Sequence, residues 1–187
     1  TFIDEEYGIL RLKNKKIIDG GAYIGDSSIW FILKGAEHVV AYEPNPYLYK
    51  LLKENVEINN LEDKIEAVQK ALWHEDNASL KLRILVSQRI STHVSGVRTF
   101  RSSTGEPVEI VEIKVKSEIP PPADILKLDV EGAEYSVLKG LRETIRQYAP
   151  VIICEIHSSY LEKLGIKQND ILELLKEYQI YVFQRGK

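Results

Sequence analysis

The feature that most limits the fold of this chain is the alternation, along most of its 187 residues, of short apolar runs with segments of helical period. "KKIIDGG" (15–21) reads as a short strand ending in glycines, and "DSSIWFILKGA" (26–36) as a helix with Asp26 or Ser27 at its start and Gly35 near its end. "HVVAYEPN" (38–45) is a second strand. The segment from Pro46 to Asn60 places Leu48, Leu51, Leu52, Val56 and Ile58 at mostly helical spacing, and "IEAVQKALW" (65–73) follows as a third strand.

From His74 to Pro122 the rhythm breaks, because "SLKLRILVS" and "VEIVEIKV" alternate as strands do, and we read this stretch as a β-rich insertion in a single domain spanning 1–187. The alternation then resumes. "ADILKLDV" is a fourth strand, "SVLKGLRETIRQY" a helix, "VIICEIH" a fifth strand, "DILELLKEY" a helix and "QIYVFQ" a last strand. Strands and helices alternating at these lengths predict an α/β fold, a mostly parallel sheet with helices on both faces and right-handed crossovers.

Composition narrows the function classes. Lys and Arg number 25 against 28 Asp and Glu, so the chain lacks the basic excess of a dedicated nucleic-acid binder. A 44% hydrophobic, 28% charged composition is ordinary for a globular domain. The single cysteine, Cys154, lies inside the apolar "VIICEI" and reads as a small hydrophobe, which fits a reducing cytoplasm. "TFIDEEYGIL" has neither the basic region nor the apolar core of a signal peptide, and no apolar run approaches membrane-spanning length. With no methionine anywhere in the sequence, residue 1 is expected to differ from the natural start.

In an open parallel sheet, ligands bind beyond the carboxyl ends of the strands, where strand order reverses. Several polar residues fall at such ends. "IIDGGAYIGD" sets Asp19, Gly20, Gly21 and Gly25 between a strand and a helix, and Glu43 closes the next strand. Glycines there let a ligand approach the backbone, and an acid in the second place accepts hydrogen bonds from ribose hydroxyls, so the pair points to a nucleoside-type ligand. The nearest dinucleotide register, from Gly20, has Ala22 where its second glycine belongs, which disfavours a pyrophosphate. An acid directly before the turn, Asp19, suits the ammonium of an amino acid, and S-adenosylmethionine carries one.

The run "ILKLDVEGAE" (125–134) drives Lys127, Asp129, Glu131 and Glu134 into and past an apolar strand. Buried unpaired charge costs several kcal/mol, so these groups need partners, solvent or a function. Alternate residues on a strand share a face, so Lys127, Asp129 and Glu131 point one way, as Glu155 and His157 do on the following strand. If the strands adjoin, Lys127 is expected to neutralise Glu155, leaving Asp129, Glu131 and His157 at the mouth. Glu134 reads as a first-turn acid favoured by the helix dipole. His93 borders the acceptor site or lies on a surface loop, and Trp30 and Trp73 read as core or rim aromatics. Asp129, Glu131 and His157 are oxygen and nitrogen donors that could hold a metal, but no tight ligand motif supports one and none is assigned.

The blocks "IIDGGAYIGDSS", "AYEPNP", "VQKALW", "LKLDVEGAEYSVLKG" and "IICEIH", in this order over roughly residues 15 to 183, resemble the FkbM family of S-adenosylmethionine-dependent methyltransferases. The first two are common to many methyltransferases, and "LKLDVEGAE" is the specific signal. The resemblance implies a Rossmann-like class I methyltransferase fold and methyl transfer to hydroxyl oxygens of sugars, polyketides or other small-molecule and glycan acceptors. By residue, it implies that Asp19, Gly21, Ala22, Tyr23 and Gly25 form the methionine-binding loop, Glu43 holds the ribose, Ala71 lies on the adenine side, and Asp129 and Glu131 form the acidic block. We take Glu131 and His157 as the catalytic candidates, and Asp129 as a residue of the cofactor's amino end. The 74–122 insertion matches no family motif. An RNA or amine methyltransferase remains an alternative, although an amine site calls for an Asn- or Asp-Pro-Pro-aromatic block where this chain has "DVEG"; a non-catalytic nucleoside-binding module remains another.

Overall fold

The computed structural model describes residues 7–75, 80–85, 108–113, 115–116 and 123–183. Its centre is a five-stranded parallel sheet of β1 (Lys16–Gly20), β2 (His38–Tyr42), β3 (Ile65–Val68), β8 (Ile125–Leu128) and β9 (Val151–Cys154), in the order β3-β2-β1-β8-β9. The chain runs outward from β1 to β3 and then returns to the other side of β1. Strand order therefore reverses between β1 and β8, the kind of point at which open α/β sheets bind ligands.

Both faces of the sheet are covered, which explains why its strands are apolar at almost every position. Ile17, Val39 and Ile125 pack on one side with Phe31 and Ile32 of α1 (Asp26–Leu33) and Leu52 and Val56 of α2 (Pro46–Ile58). Their strand neighbours Ile18, Val40 and Leu126 pack on the other side with Val137 and Leu138 of α3 (Glu134–Gly140), Ile145 of α4 (Arg142–Tyr148), Leu161 of α5 (Ser158–Lys163) and Ile171 of α6 (Gln168–Leu174). Helix α2 starts sharply because Pro46 follows Asn45, whose Oδ1 accepts from the Tyr47 N–H at 2.9 Å. Trp30 lies against Tyr7 and Phe31, as a core aromatic.

Several expected elements take a different form. The third strand is divided: after Val68 a tight turn, with the Lys70 N–H on the Val68 carbonyl at 2.9 Å, sends the chain out of the main sheet. Its continuation, β4 (Ala71–Leu72), pairs in parallel with β7 (Val115–Lys116). In the 74–122 stretch, β5 (Leu80–Leu85) and β6 (Val108–Ile113) pair antiparallel; His93 lies outside the described residues. The helix expected over 136–148 is two helices meeting at Leu141. Gly140 packs so closely on the preceding chain that a Cβ would sit 2.5 Å from the His74 Cα, and glycine weakens a helix interior.

Strand β9 ends at Cys154, so Glu155 and His157 lie beyond it, and α5, unforeseen in the sequence, begins directly after His157. The last strand expected at "QIYVFQ" does not form over 179–183, where Tyr181, Val182 and Phe183 are exposed. Alternation supplies strand propensity, but a strand also needs a paired edge, and none of these residues pairs with the sheet. Among the described residues no helix is long and apolar enough to cross a membrane.

Candidate active site

The loop between β1 and α1 is built by close approach. Gly21 has φ +76°, and a Cβ there would fall 1.8 Å from the Asp129 carbonyl oxygen, so only glycine lets the loop lie against the end of β8. The Gly21 and Ala22 N–H groups both donate to the Tyr42 carbonyl at 3.0 Å, tying the loop to β2. Tyr23 also sits at positive φ, and Gly25 is the residue capping α1. Ala71, expected on the adenine side, is buried at the start of β4.

Glu43 follows β2 and meets the same loop: one carboxylate oxygen accepts from the Tyr23 N–H at 3.0 Å and the other from the Asn45 N–H at 2.8 Å. Burial pushes its pKa up to about 7 against the lowering effect of these backbone hydrogen bonds and of Lys127. Each carboxylate oxygen keeps a second lone-pair site for further donors.

Asp19 is at its expected place but its carboxylate is engaged within the protein. Its Oδ2 accepts from the Ser27 and Ser28 hydroxyls, both at 2.6 Å, and its Oδ1 lies 3.0 Å from Lys127 Nζ. Lys127 therefore pairs with Asp19, not with Glu155. The register explains the correction: Lys127 stands between Asp19 of β1 and Ile153 of β9, with Glu155 two residues further along. Lys127 Nζ also donates to the Gly21 carbonyl at 2.8 Å. Burial alone would lower the Lys127 pKa, but the Asp19 and Asp129 carboxylates outweigh it and raise the value.

Past the ends of β8 and β9, His157 gathers four acids. Its Nδ1 donates to Glu134 Oε1 at 2.9 Å, while its Nε2 lies 3.6 Å from Glu131 Oε2, 3.7 Å from Glu155 Oε1 and 3.8 Å from Asp129 Oδ1. The Glu134 hydrogen bond, helped by the other carboxylates and opposed by burial, pushes the His157 pKa up to about 9. Imidazolium is then the dominant form at neutral pH, one that donates protons more readily than it takes them. Glu131 holds φ at 51°, a left-handed conformation uncommon for a non-glycine residue and frequent at functional sites. The structure thus brings Asp129, Glu131 and His157 together at one rim, beside the glycine loop.

Glu134 is the member that sequence reasoning left out of the site. It does occupy the first turn of α3, but it is fully buried, and its Oε1 also accepts from the Gly132 N–H at 2.9 Å. The signal was periodicity: Glu134 shares a helix face with the buried Val137, Leu138 and Leu141. Cys154 keeps its plain reading, since burial pushes its thiol up to about 12.

A parallel sheet whose order reverses beside a glycine loop, with acids at the strand ends, is the Rossmann-like methyltransferase fold. The crystal structure of methyltransferase FkbM from Methylobacillus flagellatus KT shares it, at a TM-score of 0.56 and 22% identity over 92% of this chain and 40% of that one. Residues 19–181 match the methyltransferase FkbM domain, and the chain belongs to that family. Methyltransferase sdnD of Sordaria araneosa is 29% identical over 76% of this chain and 66% of its own length. Hexuronic acid methyltransferase AglP of Haloferax volcanii is 28% identical over 87% of this chain and 62% of its own length. The chain thus spans less than two thirds of the curated relatives it matches.

Proposed function

We propose that this protein transfers a methyl group from S-adenosylmethionine to a hydroxyl oxygen of a sugar, polyketide or other small-molecule or glycan acceptor. The observation that carries the reading is the meeting, at the switch point between β1 and β8, of the Glu43-tethered glycine loop with the rim of Asp129, Glu131 and His157. The donor set fits the cofactor: Glu43 accepts from ribose hydroxyls, Ala71 offers an apolar surface to adenine, and Asp129, about one third exposed, faces the amino end. Asp19 serves that end indirectly, by fixing Ser27, Ser28 and Lys127 around the loop. The family membership and the relative named as a hexuronic acid methyltransferase favour oxygen as the acceptor atom.

When bound, S-adenosylmethionine supplies a methyl group on a sulfonium, open to in-line displacement. The protein aligns the acceptor oxygen and removes its proton, and positioning is a large part of such catalysis. Glu131 takes the hydroxyl proton, and His157, whose Nε2 lies 3.6 Å from Glu131 Oε2, holds and orients the acceptor. The reading is tested by thermal denaturation: S-adenosylhomocysteine at a hundredfold excess over its Kd should stabilise the fold by about 2.7 kcal/mol. NAD should give no shift. A shift with NAD alone would overturn the assignment.

A further inference from the structure

We infer that the rim holds a divalent metal ion, ligated by Asp129, Glu155 and His157. A ligand atom from each of the three lies within 4.8 Å of the others. First-row divalent cations bind nitrogen and oxygen ligands at about 2.0–2.2 Å, so small side-chain rotations close the three donors around one ion. At 3.7 and 3.8 Å, the Nε2 contacts to Glu155 and Asp129 are too long for hydrogen bonds.

A separate observation points the same way. Glu134, outside the triad and fully buried, fixes His157 through Nδ1, so that Nε2 is the nitrogen turned toward the carboxylates. Its other oxygen, Oε2, is buried with no hydrogen-bond partner among the described residues. A carboxylate behind a histidine is the arrangement by which proteins orient metal-binding imidazoles and raise their basicity. The ion enters by displacing the Nε2 proton, as ligation by histidine requires.

One imidazole with two carboxylates selects a first-row cation such as Mn²⁺ over Ca²⁺ or Mg²⁺, which favour all-oxygen shells. The ligands are 19% to 35% exposed, which leaves coordination positions open toward solvent. On the methyl-transfer reading, those positions take neighbouring hydroxyls of the acceptor, and the ion eases loss of the proton that Glu131 accepts. The cation site itself does not depend on that reading. Asp129 and His157 are donors that the sequence already offers, and the fold replaces Glu131 with Glu155 as the third member of the triad.

The test is Mn²⁺ uptake by chelator-stripped protein, followed through loss of the free-ion paramagnetic resonance signal. About one ion per chain should bind, with affinity lowered at least ~10-fold in Glu155→Gln and His157→Ala and about 10- to 100-fold in Glu134→Gln. No saturable uptake, or equal uptake in all three variants, would overturn the site. If His157→Ala or Glu134→Gln fails to fold, Glu155→Gln, at a partly exposed position, decides the matter alone. Mn²⁺ uptake without any S-adenosylhomocysteine shift keeps the cation site and removes the methyl-transfer reading. The reverse pair of results removes the cation site only.

Discussion

Lys127 Nζ lies 3.0 Å from Asp19 Oδ1, with both side chains almost wholly removed from solvent. This pair joins β1 to β8 at the point where strand order reverses, and its lysine reaches on to the Gly21 carbonyl. One internal ion pair thereby sets the position of the glycine loop relative to the acidic rim.

Lys127→Met should destabilise the protein by roughly 3–5 kcal/mol, because it leaves the Asp19 carboxylate buried without its counter-charge. Adding Asp19→Asn should recover much of that loss, since removing both charges also removes the desolvation cost. A double-mutant cycle from urea denaturation measures the coupling. Additive losses would mean that the two groups act independently.

Glu43 sets a dependence on pH. Its pKa is raised in the folded protein, to about 7 from an ordinary 4.5, so the native state binds its proton more tightly than the unfolded chain does. Stability from this group is present below pH 4.5 and is lost as pH rises through about 7. The stability difference between the natural protein and Glu43→Gln should therefore shift against the natural protein from pH 5 to pH 8. Denaturant titrations at several pH values check this, and a flat difference would contradict the burial argument.

Glu131→Gln and His157→Ala should separate chemistry from cofactor binding. Loss of a general base costs on the order of 10²–10⁴ in turnover, without a matching loss of ground-state affinity. Turnover should fall in both variants while S-adenosylhomocysteine affinity stays within a few fold. Glu43→Ala should do the opposite and weaken cofactor affinity. Full turnover in both rim variants would leave positioning alone to drive the transfer.

The sequence by itself determined the architecture, because burial on both sides of a parallel sheet writes itself into local patterns: "KKIIDGG", "HVVAYEPN" and "ADILKLDV" each hold consecutive apolar residues that face both sides, and each became a strand. It also placed the glycine loop, Glu43 and the acids of "LKLDVEGAE" at strand ends, since a strand that stops in glycine or charge must stop at the rim. Pairing across strands was a different matter. Which residue neutralises Lys127 depends on register, and only the assembled sheet sets Asp19 beside it in place of Glu155. The division of the third strand, the exposed 180–183 segment and the ring of four acids around His157 were likewise decided by tertiary structure. Periodicity reports which face a residue lies on; distances between residues far apart in sequence arise only when the elements pack.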